Sequence, residues 1–277
     1  MVDIKNFDVT KEEHRLWQED ESSTLIHFFP AINKKSDAAI VIFPGGAYTH
    51  RAEHEGKAYA EFLAENGISA FVVDYRVAPD YFPKPLADAR RAVRFVRYYS
   101  EKFGIDASKV AVMGSSAGGH LAALVSTYRG EIEGEGIDEI DNECYLPNAQ
   151  ILCYPVISTV DDTIWHRGSG LNLLGEDNLD FAPNVSPELI ADEKTPQAFI
   201  WHTAPDGVNV INSYVYASAL RRKNVPVEMH IFPEGPHGLG LCVLHASLDE
   251  EAKKMRRHVG RWSQMLLTWF SYIGYID

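Results

Sequence analysis

Positions 114–118 read Gly-Ser-Ser-Ala-Gly, and their setting limits how the rest of the chain can fold. An apolar run at 110–113 precedes them and a helix-forming segment at 119–126 follows, which predicts a strand, a sharp turn and a helix. A serine at the tip of such a turn needs neighbours with almost no side chain two positions before and two after it. Gly114 and Gly118 meet that need, so Ser116 is the candidate nucleophile.

The remaining sequence alternates short β-branched runs with helix-like segments of about ten to fifteen residues, the pattern of βαβ units. We predict an edge strand at 24–29, buried strands at 38–43, 69–75 and 151–157, and further strands at 110–113, 197–203 and 227–232. Helices are expected at 53–65, 86–99, 119–126, 210–223 and 250–273. The fold class is therefore α/β, a doubly wound, mostly parallel sheet flanked by helices, with 1–277 as a single domain.

Two segments fall outside this alternation. Residues 158–195 have no strong period and are too long for a plain connection, which predicts a short lid or pocket wall inserted into the domain. Residues 130–142 are rich in glycine and acidic side chains, and we expect an exposed loop there. The arginines of the helix at 86–99 repeat at helical spacing and predict a solvated face; they are Arg90, Arg91, Arg94 and Arg97.

Charge and apolar patterning exclude several classes of partner. The chain has 26 Lys and Arg against 39 Asp and Glu, a net charge of -13, which disfavours nucleic acid because phosphate binding uses clustered cations. No apolar run is long enough to span a bilayer and no signal-peptide pattern is visible, so we expect a cytoplasmic protein without a membrane partner. The three cysteines lack the paired spacing of a zinc site. The oligomeric state stays open, with a homo-oligomer among the alternatives.

A nucleophilic serine needs a base, and the base needs an acid that orients it. A serine on such a strand-turn-helix junction is called an elbow serine. In α/β sheets that carry one, the three residues follow along the chain in the order serine, acid, histidine, and the acid and the histidine each lie on a loop after a late strand. Asp206 follows the strand predicted at 197–203, and His237 follows the strand predicted at 227–232. Ser116, Asp206 and His237 are therefore the predicted catalytic residues.

Other residues of the same types are alternatives for these roles. Asp161 and Asp162 follow an earlier strand and are the rival acids. His120 is only four positions past Ser116 on the elbow helix, so its side chain should point away from the turn. His50 and His54 have an i, i+4 spacing that suits a metal, but no third ligand is evident, and we expect neither a metal nor another cofactor.

Backbone N–H groups near the elbow should stabilise the negative oxygen that forms when an ester carbonyl is attacked. One candidate is the N–H of Ala117, directly after the nucleophile. Others lie in the glycine loop after the strand at 38–43, at Gly45, Gly46 and Ala47.

Four motifs together resemble the α/β-hydrolase-fold serine esterases. They are PGGAY at 44–48, DYRVAP at 74–79, GSSAGGHL at 114–121 and PEGPHG at 233–238. Within that superfamily the chain is most similar to the families of bifunctional feruloyl and acetyl xylan esterases and of sugar acetyl-esterases. It departs from the related hormone-sensitive-lipase group at Pro44, where that group has a histidine.

The resemblance implies a serine carboxylesterase that removes short acyl groups, notably acetyl, from small esters such as those of sugars or xylo-oligosaccharides. An aromatic wall for the sugar could come from Tyr48, Trp165, His166 and Phe181. Two alternatives stay open: a non-catalytic protein of the same fold that binds a small ligand, and a peptidase of the oligopeptidase type. No cofactor is implied.

Overall fold

In the computed structural model, which describes residues 7–17, 24–132 and 135–276, the strands form one eight-stranded sheet in the order β1-β2-β4-β3-β5-β6-β7-β8. The strands are β1 Glu13–Arg15, β2 Leu25–Phe29, β3 Ala39–Phe43, β4 Ser69–Val73, β5 Val110–Ser115, β6 Ala149–Cys153, β7 Gln197–Thr203 and β8 Val227–Phe232. From β4 to β8 every neighbouring pair is parallel, whereas β1 and β2 are antiparallel to their neighbours. The predicted mostly parallel sheet is confirmed.

Nine α-helices in the described residues connect and cover these strands. They are α1 Lys57–Glu65, α2 Lys84–Tyr98, α3 Ser100–Phe103, α4 Ser116–Thr127, α5 Arg167–Leu174, α6 Pro187–Ile190, α7 Ile211–Arg222, α8 Glu250–Val259 and α9 Trp262–Tyr272. No helix in the same residues has the length and apolarity needed to cross a membrane.

The central strands are apolar at consecutive positions because helices cover both faces of the sheet. In β3, Val41 points into one core with residues of α2, α4 and α7, whereas Ile40 and Ile42 point into the other. The second core includes Leu63 of α1 and Trp262 of α9, and all of these side chains are fully buried. The two cores hold the carboxyl ends of the parallel strands in place, which is where the candidate site lies.

The amino-terminal part of the sheet differs from the prediction. The strand expected at the edge, β2, pairs on both sides, with β1 and with β4. The edge strand is instead β1, only three residues long, which carries charged residues and was not predicted. A strand this short offers almost no apolar alternation from which to recognise it.

The segment at 158–195 contains the short helices α5 and α6 and, between them, the 3-10 turns of Glu176–Val185. It packs against the domain rather than standing apart from it, since Leu173, Leu174 and Val185 are buried in the core of α2, α4 and α7. That packing fixes the segment in place near the carboxyl ends of β6 and β7.

The predicted solvated arginine face is wrong, because the arginines are buried or half-buried; they are Arg90, Arg91, Arg94 and Arg97. The acidic segment at 130–142 turns its carboxylates toward three of them. Arg91 makes two hydrogen bonds to Asp138, of 2.7 and 2.6 Å, and Arg94 contacts Glu135 at 2.9 Å. A helical repeat of charges looks the same whether solvent or an acidic loop faces it, so the sequence pattern alone does not distinguish the two cases.

Candidate active site

Ser116 lies at the junction of β5 and α4 with a φ of 54°, in the left-handed region that residues with a side chain rarely adopt. The flanking glycines make the turn possible. A Cβ on Gly114 would lie 2.0 Å from the carbonyl oxygen of Gly118, and a Cβ on Gly118 would lie 2.0 Å from that of Phe43. The elbow predicted from the sequence is therefore present. Its two flanking positions have no room for a residue larger than glycine.

The structure brings Ser116, His237 and Asp206 together in a line. His237 Nε2 is 2.9 Å from Ser116 Oγ, and His237 Nδ1 is 2.6 Å from Asp206 Oδ1. Because a carboxylate only accepts hydrogen bonds, Nδ1 carries the proton and Nε2 presents its lone pair to the serine hydroxyl. The arrangement can take a proton from Ser116 and return it to a leaving group.

The loop of Asp206 is fixed by the buried side chain of His202. Val208 N–H donates to Asp206 Oδ1 at 2.7 Å, and His202 Nε2 donates to the carbonyl of Val208 at 3.0 Å. Burial lowers the pKa of His202 to about 4, so this imidazole is neutral at neutral pH. The Nε2 of His202 lies 3.6 Å from Asp206 Oδ2, beyond hydrogen-bond distance, and leaves that carboxylate to His237.

Three of the four predicted backbone donors have free N–H groups. Within the described residues, nothing accepts a hydrogen bond from the N–H of Gly46, Ala47 or Ala117. The prediction for Gly45 is wrong, because its N–H donates to the buried carboxylate of Glu55 at 3.0 Å. A donor already paired with a carboxylate is not available to a substrate oxygen.

Tyr48 does not form the predicted aromatic wall. Its side chain is buried, its hydroxyl lies 2.8 Å from His120 Nδ1, and its ring meets that imidazole edge-on. The Nε2 of His120 donates to the carbonyl of Val185 at 2.8 Å, so this pair ties the glycine loop to the segment at 158–195. The buried side chain of Tyr48 therefore supports the glycine loop from within the core instead of contacting a substrate.

Phe181 packs against another aromatic ring, and its assignment to the aromatic wall stays a prediction. It is half-buried and its ring lies 5.1 Å from that of Phe82, which packs against Tyr128 in turn. A single aromatic residue in a lid segment gives no signal that separates internal packing from substrate contact.

Trp165 and His166 line a cavity of about 470 Å³ together with the loop of Asp206. The Nδ1 of His166 accepts from the N–H of Ser169 and lies 2.8 Å from its hydroxyl, which fixes the ring at the start of α5. Burial and the nearby His237 lower the pKa of His166, so it is neutral at neutral pH. Ser116 is not among the residues lining this cavity, which adjoins the acid loop.

The rival candidates lie outside the arrangement of Ser116, Asp206 and His237. Asp161 accepts hydrogen bonds from the backbone and hydroxyl of Thr163 in an exposed turn. His54 donates from Nε2 to the carbonyl of Gly238 at 3.1 Å. In the part of the chain that the structure describes, no group of three or more His, Cys, Asp or Glu is placed to hold a metal ion.

Among curated proteins, endo-1,4-beta-xylanase B of Butyrivibrio fibrisolvens is 34% identical over 247 residues, which is 84% of this chain and 38% of that protein. Acetylxylan esterase of Xylanibacter ruminicola is 32% identical over 256 residues, 88% of this chain and 48% of that protein. The chain thus spans less than half the length of these two relatives.

Two solved structures share the fold along nearly the whole chain. Acetyl ester-xyloside bifunctional hydrolase from Caldicellulosiruptor lactoaceticus superposes with a TM-score of 0.82 at 39% identity, covering 99% of this chain and 94% of that one. MGS-M1, an alpha/beta hydrolase enzyme from a deep-sea metagenome library, has a TM-score of 0.74 at 27% identity, covering 94% and 96%. These matches confirm the predicted α/β-hydrolase fold.

The resemblance that four short motifs predicted is confirmed at the level of the family. The BD-FAE family matches residues 26–220, a range that contains the glycine loop, the elbow and the acid. The chain therefore belongs to the BD-FAE family of α/β hydrolases.

Proposed function

We propose that the chain is a carboxylic ester hydrolase that uses Ser116 as nucleophile, His237 as general base and Asp206 as the group that orients the base. The observation that carries the proposal is the continuous contact from Asp206 through His237 to Ser116, with distances of 2.6 and 2.9 Å. The esterases among the relatives favour the same reaction class.

In the proposed reaction, His237 Nε2 accepts the hydroxyl proton as Ser116 Oγ attacks the ester carbonyl carbon. The carbonyl oxygen becomes negative and accepts hydrogen bonds from the N–H groups of Gly46 and Ala117, with Ala47 as a further donor. His237 then returns the proton to the departing alcohol, which leaves an acyl-serine. Water, deprotonated by His237, then attacks the acyl carbon. The bond between that carbon and Ser116 Oγ breaks, the carboxylic acid leaves, and His237 returns the proton to Ser116.

Solvent can reach the base without entering a deep tunnel, because the side chain of His237 is 33% exposed whereas that of Asp206 is 1% exposed. The exposed base allows the second step to draw on bulk water. The buried acid keeps a strong hydrogen bond to Nδ1, since little water competes for it.

For the substrate we propose short acyl esters, acetyl above all, of xylose-containing oligosaccharides. The similarity to an acetyl ester-xyloside hydrolase and to an acetylxylan esterase supports this choice. We assign Trp165 and His166 to the sugar side, because they line the cavity beside Asp206 and the pKa of His166 responds to His237. An aromatic ring and a neutral imidazole suit the apolar face and the hydroxyls of a sugar.

The test compares acetylated xylo-oligosaccharides with p-nitrophenyl acetate in the wild type and in Trp165→Ala. We expect acetate release from both substrates, with KM in the variant raised at least about fivefold for the oligosaccharide and little changed for p-nitrophenyl acetate. Hydrolysis of neither substrate, with tight binding of an acetylated sugar, would favour a ligand-binding protein. Cleavage of short peptides without ester hydrolysis would favour a peptidase.

A further inference from the structure

A buried carboxylate lies directly behind the glycine loop. Glu55 ends the 3-10 turn Glu53–Glu55, and its side chain is 4% exposed. Among the described residues no lysine or arginine lies within 4.0 Å of it, and the nearby His54 is exposed, with its Nε2 3.8 Å from Oε1. A carboxylate in this setting needs hydrogen-bond donors, so its partners indicate what it holds.

The first oxygen of Glu55 holds the glycine loop. Oε2 accepts the N–H of Gly45 at 3.0 Å. A Cβ on Gly45 would lie 2.3 Å from that oxygen, 2.8 Å from the carbonyl oxygen of Ser115 and 3.1 Å from Ser116 Cβ. Gly45 is thus held between the carboxylate and the elbow. The next peptide unit carries the N–H of Gly46, so the orientation of Gly45 sets the direction of that donor.

The second oxygen of Glu55 is linked to the loop that follows β8 and carries His237, the base loop. The hydroxyl of Tyr154 donates to Oε1 at 2.7 Å and accepts the N–H of Gly240 at 3.0 Å. The ring of Tyr154 lies edge-on to His237, with 5.1 Å between ring centroids. One side chain therefore positions both the ring and the backbone of the loop that carries His237.

We propose that Glu55 is a positioning residue that sets the spacing of the glycine loop and the base loop across Ser116. The inference deepens the proposed function and rests on it. A hydrogen bond to a carboxylate is stronger and shorter than one to a neutral acceptor, so the link holds both loops firmly. A displacement of about 1 Å at such groups can lower a rate about 100-fold.

Four variants measured with p-nitrophenyl acetate test this role. Glu55→Ala removes the links to both loops. Tyr154→Phe removes the hydroxyl that contacts Glu55 and Gly240, so it breaks the link to the loop of His237 and leaves the link to Gly45. Glu55→Gln keeps one acceptor and the same size. Asp88→Asn is the matched control, because Asp88 is also a fully buried carboxylate but binds Arg76 and Trp17, at distances of 2.7 to 3.0 Å, instead of Gly45 and Tyr154.

We expect kcat to fall about 30- to 100-fold in Glu55→Ala with KM within about threefold of wild type, because the donors act mainly in the transition state. Glu55→Gln and Tyr154→Phe should lie between that variant and the wild type. Asp88→Asn should lower the unfolding midpoint and leave kcat within about threefold, measured well below that midpoint.

A folded Glu55→Ala with kcat within threefold of wild type would overturn the proposal, as would an equal loss of kcat in Asp88→Asn. If Glu55→Ala does not fold, wild-type kcat in both Glu55→Gln and Tyr154→Phe would overturn it. Ser116→Ala is assayed alongside. Full turnover in Ser116→Ala would refute the proposed function itself, whereas an inactive Ser116→Ala beside an active Glu55→Ala would refute only the role of Glu55.

Discussion

His237 Nε2 lies 2.9 Å from Ser116 Oγ although 121 positions separate the two residues in the chain. The contact exists because β5 and β8 end at the same edge of the parallel sheet, so the loops that follow them meet. Ser116 comes from the turn after β5 and His237 from the loop after β8. The contact between these two side chains therefore depends on the order of the strands in the sheet.

Replacing Asp206 by Asn should lower kcat about 1,000- to 10,000-fold with little change in KM. The amide would place an N–H₂ group toward Nδ1 and favour the wrong tautomer of His237, with its proton on the nitrogen that faces Ser116. Steady-state kinetics with p-nitrophenyl acetate measure the effect. Asp161→Asn is the control, since the carboxylate of that exposed rival acid bonds only to Thr163 among the described residues, and kcat of this variant should stay unchanged.

Gly118→Ala should prevent folding or lower the free energy of unfolding by more than about 4 kcal/mol. The added Cβ would lie 2.0 Å from a backbone oxygen of β3, which cannot move without disrupting the sheet. Gly168→Ala in α5 meets only the ring of His166 at 3.7 Å, and should be neutral or stabilising by up to about 1 kcal/mol. Urea unfolding of both variants tests the contrast, which equal stabilities would contradict.

The free energy of unfolding should fall as the pH drops from 7 to 5. Burial lowers the pKa of His120 and of His202 to about 4, while both return to about 6.5 in the unfolded chain. Between those values the unfolded state binds more protons, so stability is complete above pH 6.5 and is lost toward pH 4.

Protonation of each of these two histidines should lower the free energy of unfolding by about 2 kcal/mol between pH 7 and pH 5. Denaturant titrations at pH 7, 6 and 5 measure it. His202→Gln, compared with wild type, should show a shallower decline even if its stability at pH 7 is lower. An identical slope in the variant would show that His202 does not take part.

The buried arginines should matter far more to stability than an exposed pair. Arg91→Ala would leave Asp138 without its arginine partner and Asp141 with only Arg94, at 3.6 Å, in a site where Arg91 is 2% exposed, and should cost about 3 to 5 kcal/mol. Arg129→Ala breaks a half-exposed pair with Asp192 and should cost at most about 1 kcal/mol. Thermal and urea unfolding compare them, and a similar small loss in both variants would contradict the packing described.

Structural features with a local cause could be predicted from the sequence. The elbow could be predicted because any such turn leaves no room for a side chain two positions before and two positions after the serine, and both positions around Ser116 are glycines. The strands β7 and β8 are predicted at their observed bounds. The strand β7 is a buried, largely apolar run, whereas β8 is half-buried and alternates apolar with polar residues from Val227 to Ile231. Asp206 and His237 followed from the chain order of the loops after those strands.

Features that depend on distant contacts were missed or misassigned. Glu55 resembles any acid at a helix start, and nothing nearby in the sequence indicates that it binds Gly45 and Tyr154. The sequence offers Tyr48 as part of an aromatic wall, but its side chain is buried in the core against His120. The arginines of α2 were misread because the acidic loop that covers them lies about 45 positions further along the chain.

The most direct test of the account is covalent labelling of the native protein with a fluorophosphonate probe, followed by peptide mass analysis. The account predicts that Ser116 carries the probe, that Ser116→Ala is not labelled, and that His237→Ala is labelled at least about 100-fold more slowly. Labelling at another residue, or equal labelling of Ser116→Ala and wild type, would contradict the assignment of Ser116 as the nucleophile.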